Sequence, residues 1–380
     1  MAEKITFDDL KLNDNLLRGI YSHGFENPSP IQGKAIPHMN DKKDLVAQAQ
    51  SGTGKTGAFC IGVLNNIDPE SKTTQALIIN PTHELANQNL SVMKDLSSFM
   101  DLSVLSVVGG TNVRKCQEDL NKQPQIIVGT PGRLLDMIQK RYLITEHIKI
   151  LIFDEADEIL SFGFKESIYG IIQFIPKATQ ICIFSATIPD EVLDLTDKFM
   201  NKPEKILVNK DKLTLDGILQ FYINVKVNDW KFDVLTDIYE TINVSQCIIY
   251  INSKNKLMEV NDRLKERGFP VECIHGELSG DLRKHIMEDF KSGKLRILLS
   301  TDLLSRGIDI QQLSLVINFD LPREKETYIH RIGRSGRYGR KGVSINFVTD
   351  RDLEYLNEIK SFYDTKIEEM PQNINDYLNI

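Results

Sequence analysis

Eight consecutive residues, Ala49-Gln50-Ser51-Gly52-Thr53-Gly54-Lys55-Thr56, are of the types that grip a polyphosphate. They follow a short apolar run, Leu45 to Ala47, and lead into a segment that reads as a helix from Gly57 to Asn65. A glycine-rich turn between strand and helix lets backbone N–H groups approach phosphate oxygens. Lys55 then reaches the β and γ oxygens, and the Thr56 hydroxyl can hold Mg²⁺. The helix N-terminus adds partial positive charge where the anion would sit. Ala49 stands where this pattern has its first glycine. The stretch is read as a nucleoside triphosphate site.

A second chemical stretch lies a hundred residues on, where Ile150-Leu151-Ile152-Phe153 runs into Asp154-Glu155-Ala156-Asp157. In open α/β sheets, ligands bind beyond the carboxyl ends of the strands, so these acids should face the phosphate loop. Asp154 is placed to hold Mg²⁺ through water, and Glu155 to orient and deprotonate an attacking water. A merely solvated acidic turn would suit Glu158 but not Asp154, which ends an apolar strand.

The elements that must position these residues follow from the pattern of apolar runs. Phe7 to Tyr21 reads as an amphipathic helix, with Leu10, Leu12, Leu16, Leu17 and Ile20 on its apolar face. Pro28 and Pro30 then break the chain, and Ser29 can cap the next helix. Short apolar runs at 76–80, 103–108, 125–129, 150–153, 180–184 and 205–208 read as strands covered on both faces. After a polar stretch the alternation restarts, with runs at 220–225, 246–251, 271–275, 296–300, 315–319 and 343–348. Alternating β and α elements imply parallel sheets with helices on both sides. The expected division is residues 1–208, a linker at 209–217, and residues 218–380, each half with six or seven strands. A C-terminal helix is expected to end near Met370-Pro371.

Composition sets the outer bounds. The 380 residues are 41% hydrophobic and 26% charged, ordinary for a globular protein with two cores. A net charge of −7 argues mildly against nucleic acid as a partner, although a local basic cleft can coexist with an acidic exterior. Cys60, Cys116, Cys182, Cys247 and Cys273 form no CxxC pair and read as buried thiols of a reducing compartment. No run suits a membrane span and the N-terminus has no signal-peptide pattern, so a cytoplasmic location is expected, with the nucleus left open.

The phosphate loop together with Asp154-Glu155-Ala156-Asp157 resembles the DEAD-box RNA helicases, and the resemblance covers nearly the whole chain. Arg340-Lys341-Gly342-Val343 and Ile367-Glu368-Glu369-Met370-Pro371 bring it nearest to the translation initiation factor four-A branch. The resemblance implies two tandem RecA-like domains separated by a cleft, ATP and Mg²⁺ as cofactors, and single-stranded RNA bound without regard to sequence. A scaffold protein of translation initiation and a monomeric state are further implications. Phe25 and Gln32, within the segment 7–32, then match the adenine-recognition region. A side-chain amide pairs with the N6 and N7 edge of adenine, a geometry guanine cannot offer. Ser185-Ala186-Thr187, with Asp157 and His330, would couple the ATP site to RNA. Pro81, Thr82, Gly110, Thr130 and Arg133 match RNA-backbone contacts of the first domain. His83 departs from the arginine usual there.

In the second half, Asn252, Arg283 and Thr301 match RNA contacts, and Gly280 replaces a usual glutamine. Asp309 would accept from the ribose hydroxyls. His330-Arg331-Ile332-Gly333-Arg334-Ser335-Gly336-Arg337 lies in a basic cluster: Arg323, Lys325, Arg331, Arg334, Arg337, Arg340 and Lys341 stand against Glu324 and Glu326. Arg334 and Arg337 are the candidate arginine fingers, completing the site when the domains close. Two other readings stay open: an RNA clamp with little unwinding, and a small-molecule kinase, which the basic cluster disfavours.

Overall fold

The computed structural model describes residues 5–49, 52–161, 163–206, 218–241, 246–302, 313–333 and 342–371. The chain divides into two compact units, Met1–Val208 and Asn209–Ile380. The linker expected at 209–217 lies outside the described residues.

The first unit contains β1 (Leu45–Gln48), β2 (Ala76–Ile79), β3 (Val104–Val107), β4 (Ile126–Gly129), β5 (Ile150–Asp154), β6 (Gln180–Ser185) and β7 (Glu204–Ile206). Its helices are α1 (Asp14–Ser22), α2 (Pro30–Asn40), α3 (Lys55–Asn66), α4 (His83–Leu96), α5 (Val113–Leu120), α6 (Pro131–Gln139), α7 (Ala156–Ser161), α8 (Lys165–Phe174) and α9 (Asp190–Phe199). The strands pair in parallel in the order β3-β4-β2-β5-β6-β1-β7. Successive residues of one strand serve opposite faces: Ile150 and Ile152 join the core under α2, α3 and α4, while Leu151 and Phe153 join the core under α6, α8 and α9. Burial on both faces is why the strands read as continuous apolar runs.

The second unit contains β8 (Ile218–Lys226), β9 (Cys247–Tyr250), β10 (Val271–Ile274), β11 (Ile297–Ser300), β12 (Leu315–Asn318), β13 (Gly342–Thr349) and β14 (Glu368–Glu369). Its helices are α10 (Lys231–Thr241), α11 (Lys254–Glu266), α12 (Gly280–Lys291), α13 (Lys325–Ile332) and α14 (Leu353–Tyr363). Its sheet, also parallel, has the order β10-β11-β9-β12-β13-β8-β14, which repeats the first order strand for strand. Both units are RecA-like.

Two expectations fail at chain ends. Phe7 to Tyr21 is not one helix, because a 3₁₀ turn at Asp8–Leu10 ends on Lys11 in the left-handed region, φ 53°. Asn13 then starts α1 anew, its side chain accepting from the Asn15 N–H. Local capping chemistry there outweighs the apolar periodicity. The last helix also stops early: α14 ends at Tyr363 with left-handed Asp364 as its cap, and Glu368–Glu369 adds an edge strand beside β8.

The five cysteines are free thiols, buried except for half-buried Cys273. Among the described residues, no helix is long and apolar enough to cross a membrane.

Candidate nucleotide site and RNA-facing loops

The phosphate loop is shaped by what presses against it. Gly54 caps α3 at φ 99°, a conformation that disfavours any side chain. A Cβ there would also lie 2.7 Å from Ser29 Oγ and 2.8 Å from Gln32 Nε2. Ala49 needs no glycine: its N–H donates to the Ser185 carbonyl at 3.0 Å, and its φ is not positive. Gln50 and Ser51 lie outside the described residues. Helix α3 begins at Lys55, not Gly57, so Lys55 and Thr56 form its first turn.

Lys55 is almost fully buried, and its Nζ lies 3.3 Å from each oxygen of Glu155, itself buried. Glu155 sits at φ 51°, a backbone conformation a long side chain adopts only when its surroundings impose it. Asp154, the last residue of β5, turns Oδ2 toward two amides: Asn89 Nδ2 donates at 2.7 Å and Asn80 Nδ2 at 3.3 Å. Burial, reinforced by the neighbouring Glu155 charge, pushes the Asp154 carboxyl up to about 7, against the opposing pull of Lys55 and Asn89. Among the described residues, the amide oxygens of Asn80 and Asn89 are buried and find no hydrogen-bond partner. The Asp154 carboxylate and the amide oxygens of Asn80 and Asn89 are oxygen groups of the kind that suit a hard, hydrated dication.

The adenine-recognition candidates pack against the first turn of α3. Ser29 and Gln32 form a reciprocal cap on α2, in which Ser29 N–H donates to Gln32 Oε1 at 2.9 Å. Gln32 Nε2 donates to the Gly54 carbonyl at 3.3 Å, so the amide that would read the base is fixed to the phosphate loop. Each end keeps one hydrogen-bonding valence for a ligand. Phe25 is half-buried and stacks on the fully buried Phe7, with ring centroids 6.4 Å apart.

Asp157 joins β5 to β6. Its Oδ2 accepts from Thr187 Oγ1 at 2.6 Å, and its N–H donates to Ser185 Oγ at 3.2 Å. The coupling residues of this unit are therefore in direct contact. The RNA candidates follow the adjacent strands β2, β3 and β4. Thr82 caps α4, Gly109 N–H donates to Thr130 Oγ1 at 3.3 Å, and Arg133 Nη1 and Nη2 donate to the Thr111 hydroxyl and carbonyl at 3.0 and 3.1 Å. Pro81 precedes Thr82 and is buried, while Gly110 is exposed at φ 70°. A Cβ on Gly109 would sit 3.2 Å from His83 Nε2, so the departing histidine packs on this turn.

In the second unit, Asn252 follows β9 and Thr301 follows β11, its neighbour, while Arg283 lies on α12 after β10. These strands correspond in order to β2, β4 and β3. Gly280 has no positive φ, and a Cβ there would meet nothing within 4 Å, so the backbone does not demand the glycine. His330 is buried on α13. Arg331, counted above in the basic cluster, has no exposed surface and is removed from it: it donates to Asp302, Asn318, Asp320 and Asn252 inside the unit. Asp309, Arg334 and Arg337 lie outside the described residues.

Sequence reasoning passed over Asn80 and Asn89, and read Arg331 only as one charge of the basic cluster. Asn89 left a signal, since it is the polar residue in the buried stripe Leu85, Ala86, Asn89, Met93, Leu96 of α4.

Two RecA-like units, the first with a lysine, a glutamate and an aspartate converging at its phosphate loop, define a nucleoside triphosphatase of the helicase class. The description DEAD/DEAH box helicase matches residues 29–195, and helicase conserved C-terminal domain matches residues 230–339. Proteins named ATP-dependent RNA helicase eIF4A are 52% identical in Chaetomium globosum (98% of this chain, 94% of that protein) and 55% identical in Eremothecium gossypii (97% and 93%). The structure of S. cerevisiae Dbp5 bound to RNA and ADP BeF3 matches with a TM-score of 0.91 at 36% identity, covering 98% of this chain and 97% of that one. The chain belongs to the DEAD-box helicases, and it is an ATP-dependent RNA helicase.

Proposed function

We propose that the first unit binds ATP with Lys55 on the β and γ oxygens, Gln32 and Phe25 on the adenine, and the loop from Ala49 through Gln50, Ser51, Gly52, Thr53 and Gly54 around the phosphates. Thr56 and Asp154 hold Mg²⁺, which when bound supplies positive charge against the phosphate oxygens. Glu155 takes a proton from water as the water oxygen bonds to the γ phosphorus. The bond from that phosphorus to the bridging oxygen breaks, and ADP and phosphate leave. The observation that carries this reading is the buried Lys55–Glu155 pair beside Asp154. ATP draws the lysine away, and the carboxylate is left to act as base.

Asp309, Arg334 and Arg337 complete the site from the second unit when the two close on each other. Asp157, Ser185, Thr187 and His330 couple this step to RNA. Single-stranded RNA runs along Pro81, Thr82, Gly110, Thr130 and Arg133 of one unit and Asn252, Arg283 and Thr301 of the other. Contacts to phosphates and 2′-hydroxyls make binding independent of sequence. Closure bends one strand and separates a short duplex locally, and hydrolysis resets the enzyme. The eIF4A-named relatives support a role in translation initiation; we propose in addition a cytoplasmic location and a monomer acting with a scaffold protein.

The test is the ATPase rate with and without single-stranded RNA, run alongside displacement of a short duplex. RNA stimulation with strand displacement is expected. Stimulation with RNA retention and no displacement would make the protein a clamp.

A further inference from the structure

The largest fully buried side chain in the described residues is a cation, Arg331. It lies on α13, and its donors are spent on three strand ends at once. Nε donates to Asp302 Oδ1 at 2.6 Å, beyond β11, and Nη2 to Asn252 Oδ1 at 2.6 Å, beyond β9. Nη1 reaches Asn318 Oδ1 at 3.2 Å and the Asp320 carbonyl at 2.7 Å, both at the end of β12. The Tyr250 ring lies 5.1 Å from the guanidinium carbon. Asp320 closes the circuit: Oδ2 accepts from the Asn252 N–H at 3.1 Å, and Oδ1 from buried Lys231 at 2.8 Å.

A planar fork with five donors in fixed directions can hold these acceptors together, whereas a lysine ammonium, a point charge with three donors, cannot span them. Full burial keeps the guanidinium away from any phosphate. Its acceptors, however, belong to the ligand-facing edge of the sheet: Asn252 is an RNA-contact candidate, and Asp302 follows Thr301, another. Taking the guanidinium out of water offsets much of what its pairing with the partly exposed Asp302 contributes, so stability alone is a weak reason for this charge.

We propose that Arg331 is a positioning residue that fixes Asn252 and the Thr301–Asp302 strand end in one register, so that Asn252 and Thr301 act as one RNA contact. The inference rests on the reading of Asn252 and Thr301 as RNA contacts. It assigns Arg331 no contact with RNA or ATP.

The test uses the full chain and fluorescein-labelled ten-nucleotide polyuridine in the presence of a non-hydrolysable ATP analogue. Arg331→Lys and Asn252→Ala should each weaken RNA binding by about tenfold, and the double variant should weaken it no further than the stronger single change. In steady state, Arg331→Lys should raise the KM for RNA while kcat at saturating RNA holds. Its affinity for a fluorescent ATP analogue without RNA should be unchanged, because the phosphate grip lies in the first unit. Additive losses of about a hundredfold in the double variant would overturn the proposal. A lowered Tm with unchanged RNA affinity would overturn it too, leaving a purely structural arginine. If Asn252→Ala alone leaves RNA binding intact, the underlying contact reading fails and takes the proposal with it. Should Arg331→Lys not fold, Asp302→Asn removes the charge of the partner whose side chain is 42% exposed; the same RNA losses are expected, and none would count against the proposal.

Discussion

Lys55 and Glu155, both almost fully buried, hold each other at 3.3 Å, and the proposed reaction needs each of them elsewhere. The ammonium must move to phosphate oxygens before the carboxylate is available as a base. Binding and activation of the base are then one event. Glu155→Gln weakens Lys55's tie without emptying the site. ATP should bind at least as tightly as in the parent, while kcat falls by about 10²–10⁴-fold. Titration with a fluorescent ATP analogue and a steady-state ATPase assay separate the two effects. An unchanged kcat would place the base elsewhere.

Lys55→Ala tests the same pair from its other end. It removes the phosphate ligand and strands the Glu155 carboxylate in a buried site. Loss of one partner from a buried ion pair costs about 3–5 kcal/mol. ATP binding should be lost, and the urea midpoint should drop. Adding Glu155→Gln to that variant should recover much of the stability and none of the ATP binding. Recovery of binding would remove Lys55 from the phosphate grip.

Asp154 gives a pH signature in the nucleotide-free and metal-free protein. Its folded pKa, about 7, lies above its ordinary value of 3.8. A carboxyl raised in this way is neutral in both folded and unfolded states at low pH. As pH rises from about 4 to 7 the unfolded state ionises first, and the folded state loses stability. Asp154→Asn keeps the shape and removes the charge. It should therefore raise Tm more at pH 8 than at pH 5 while abolishing turnover at both. An equal gain at both pH values would mean that burial does not raise this group.

Apart from the exposed edge strand Glu368–Glu369, the strands of the two sheets were legible because strands covered on both faces are written as unbroken apolar runs. The repeat of strand order was not, since order depends on which ends meet across the sheet. The Ser29 cap and Pro30 at the first turn of α2 followed from residue type alone. The break at Lys11 and Asn13 did not, because Leu10, Leu12 and Leu16 keep a helical period across it. At the site, loop chemistry marked Lys55, Asp154 and Glu155. The same reading counted Arg331 as one charge of the basic cluster: among so many basic neighbours, only the acceptors Asp302, Asn318 and Asn252, supplied by other strand ends, show that it is buried.

His83 stands on the first turn of α4 against Gly109 and Gly110, and Gly109 is bonded to Thr130, the cap of the helix that carries Arg133. Arginine there would add a permanent cation and a planar fork for phosphate. His83→Arg should tighten RNA binding and steepen its dependence on salt, by about 0.7 in the logarithmic slope for one added contact to a single strand. Fluorescence anisotropy across a salt series measures both. An unchanged slope would assign His83 to packing of the glycine turn alone.

Gly57 offers the sharpest test of the adenine segment, because helix propensity and local packing oppose each other there. Within a helix, glycine to alanine ordinarily stabilises by about 0.5–1 kcal/mol. At this position a Cβ would lie 2.5 Å from Gln32 Nε2 and 3.1 Å from Phe25 Cε2. The alanine must push aside both candidate readers of the base and strain the Gln32 tie to the Gly54 carbonyl. Gly57→Ala should lower ATP affinity by about tenfold and narrow the preference for ATP over GTP, since the amide that pairs with adenine moves. Competition of ATP and GTP against a fluorescent ATP analogue reads both quantities, and a Tm scan without nucleotide shows whether the helix itself is intact. Unchanged ATP affinity and selectivity in a folded variant would detach Phe25 and Gln32 from base recognition and leave them as packing for the phosphate loop.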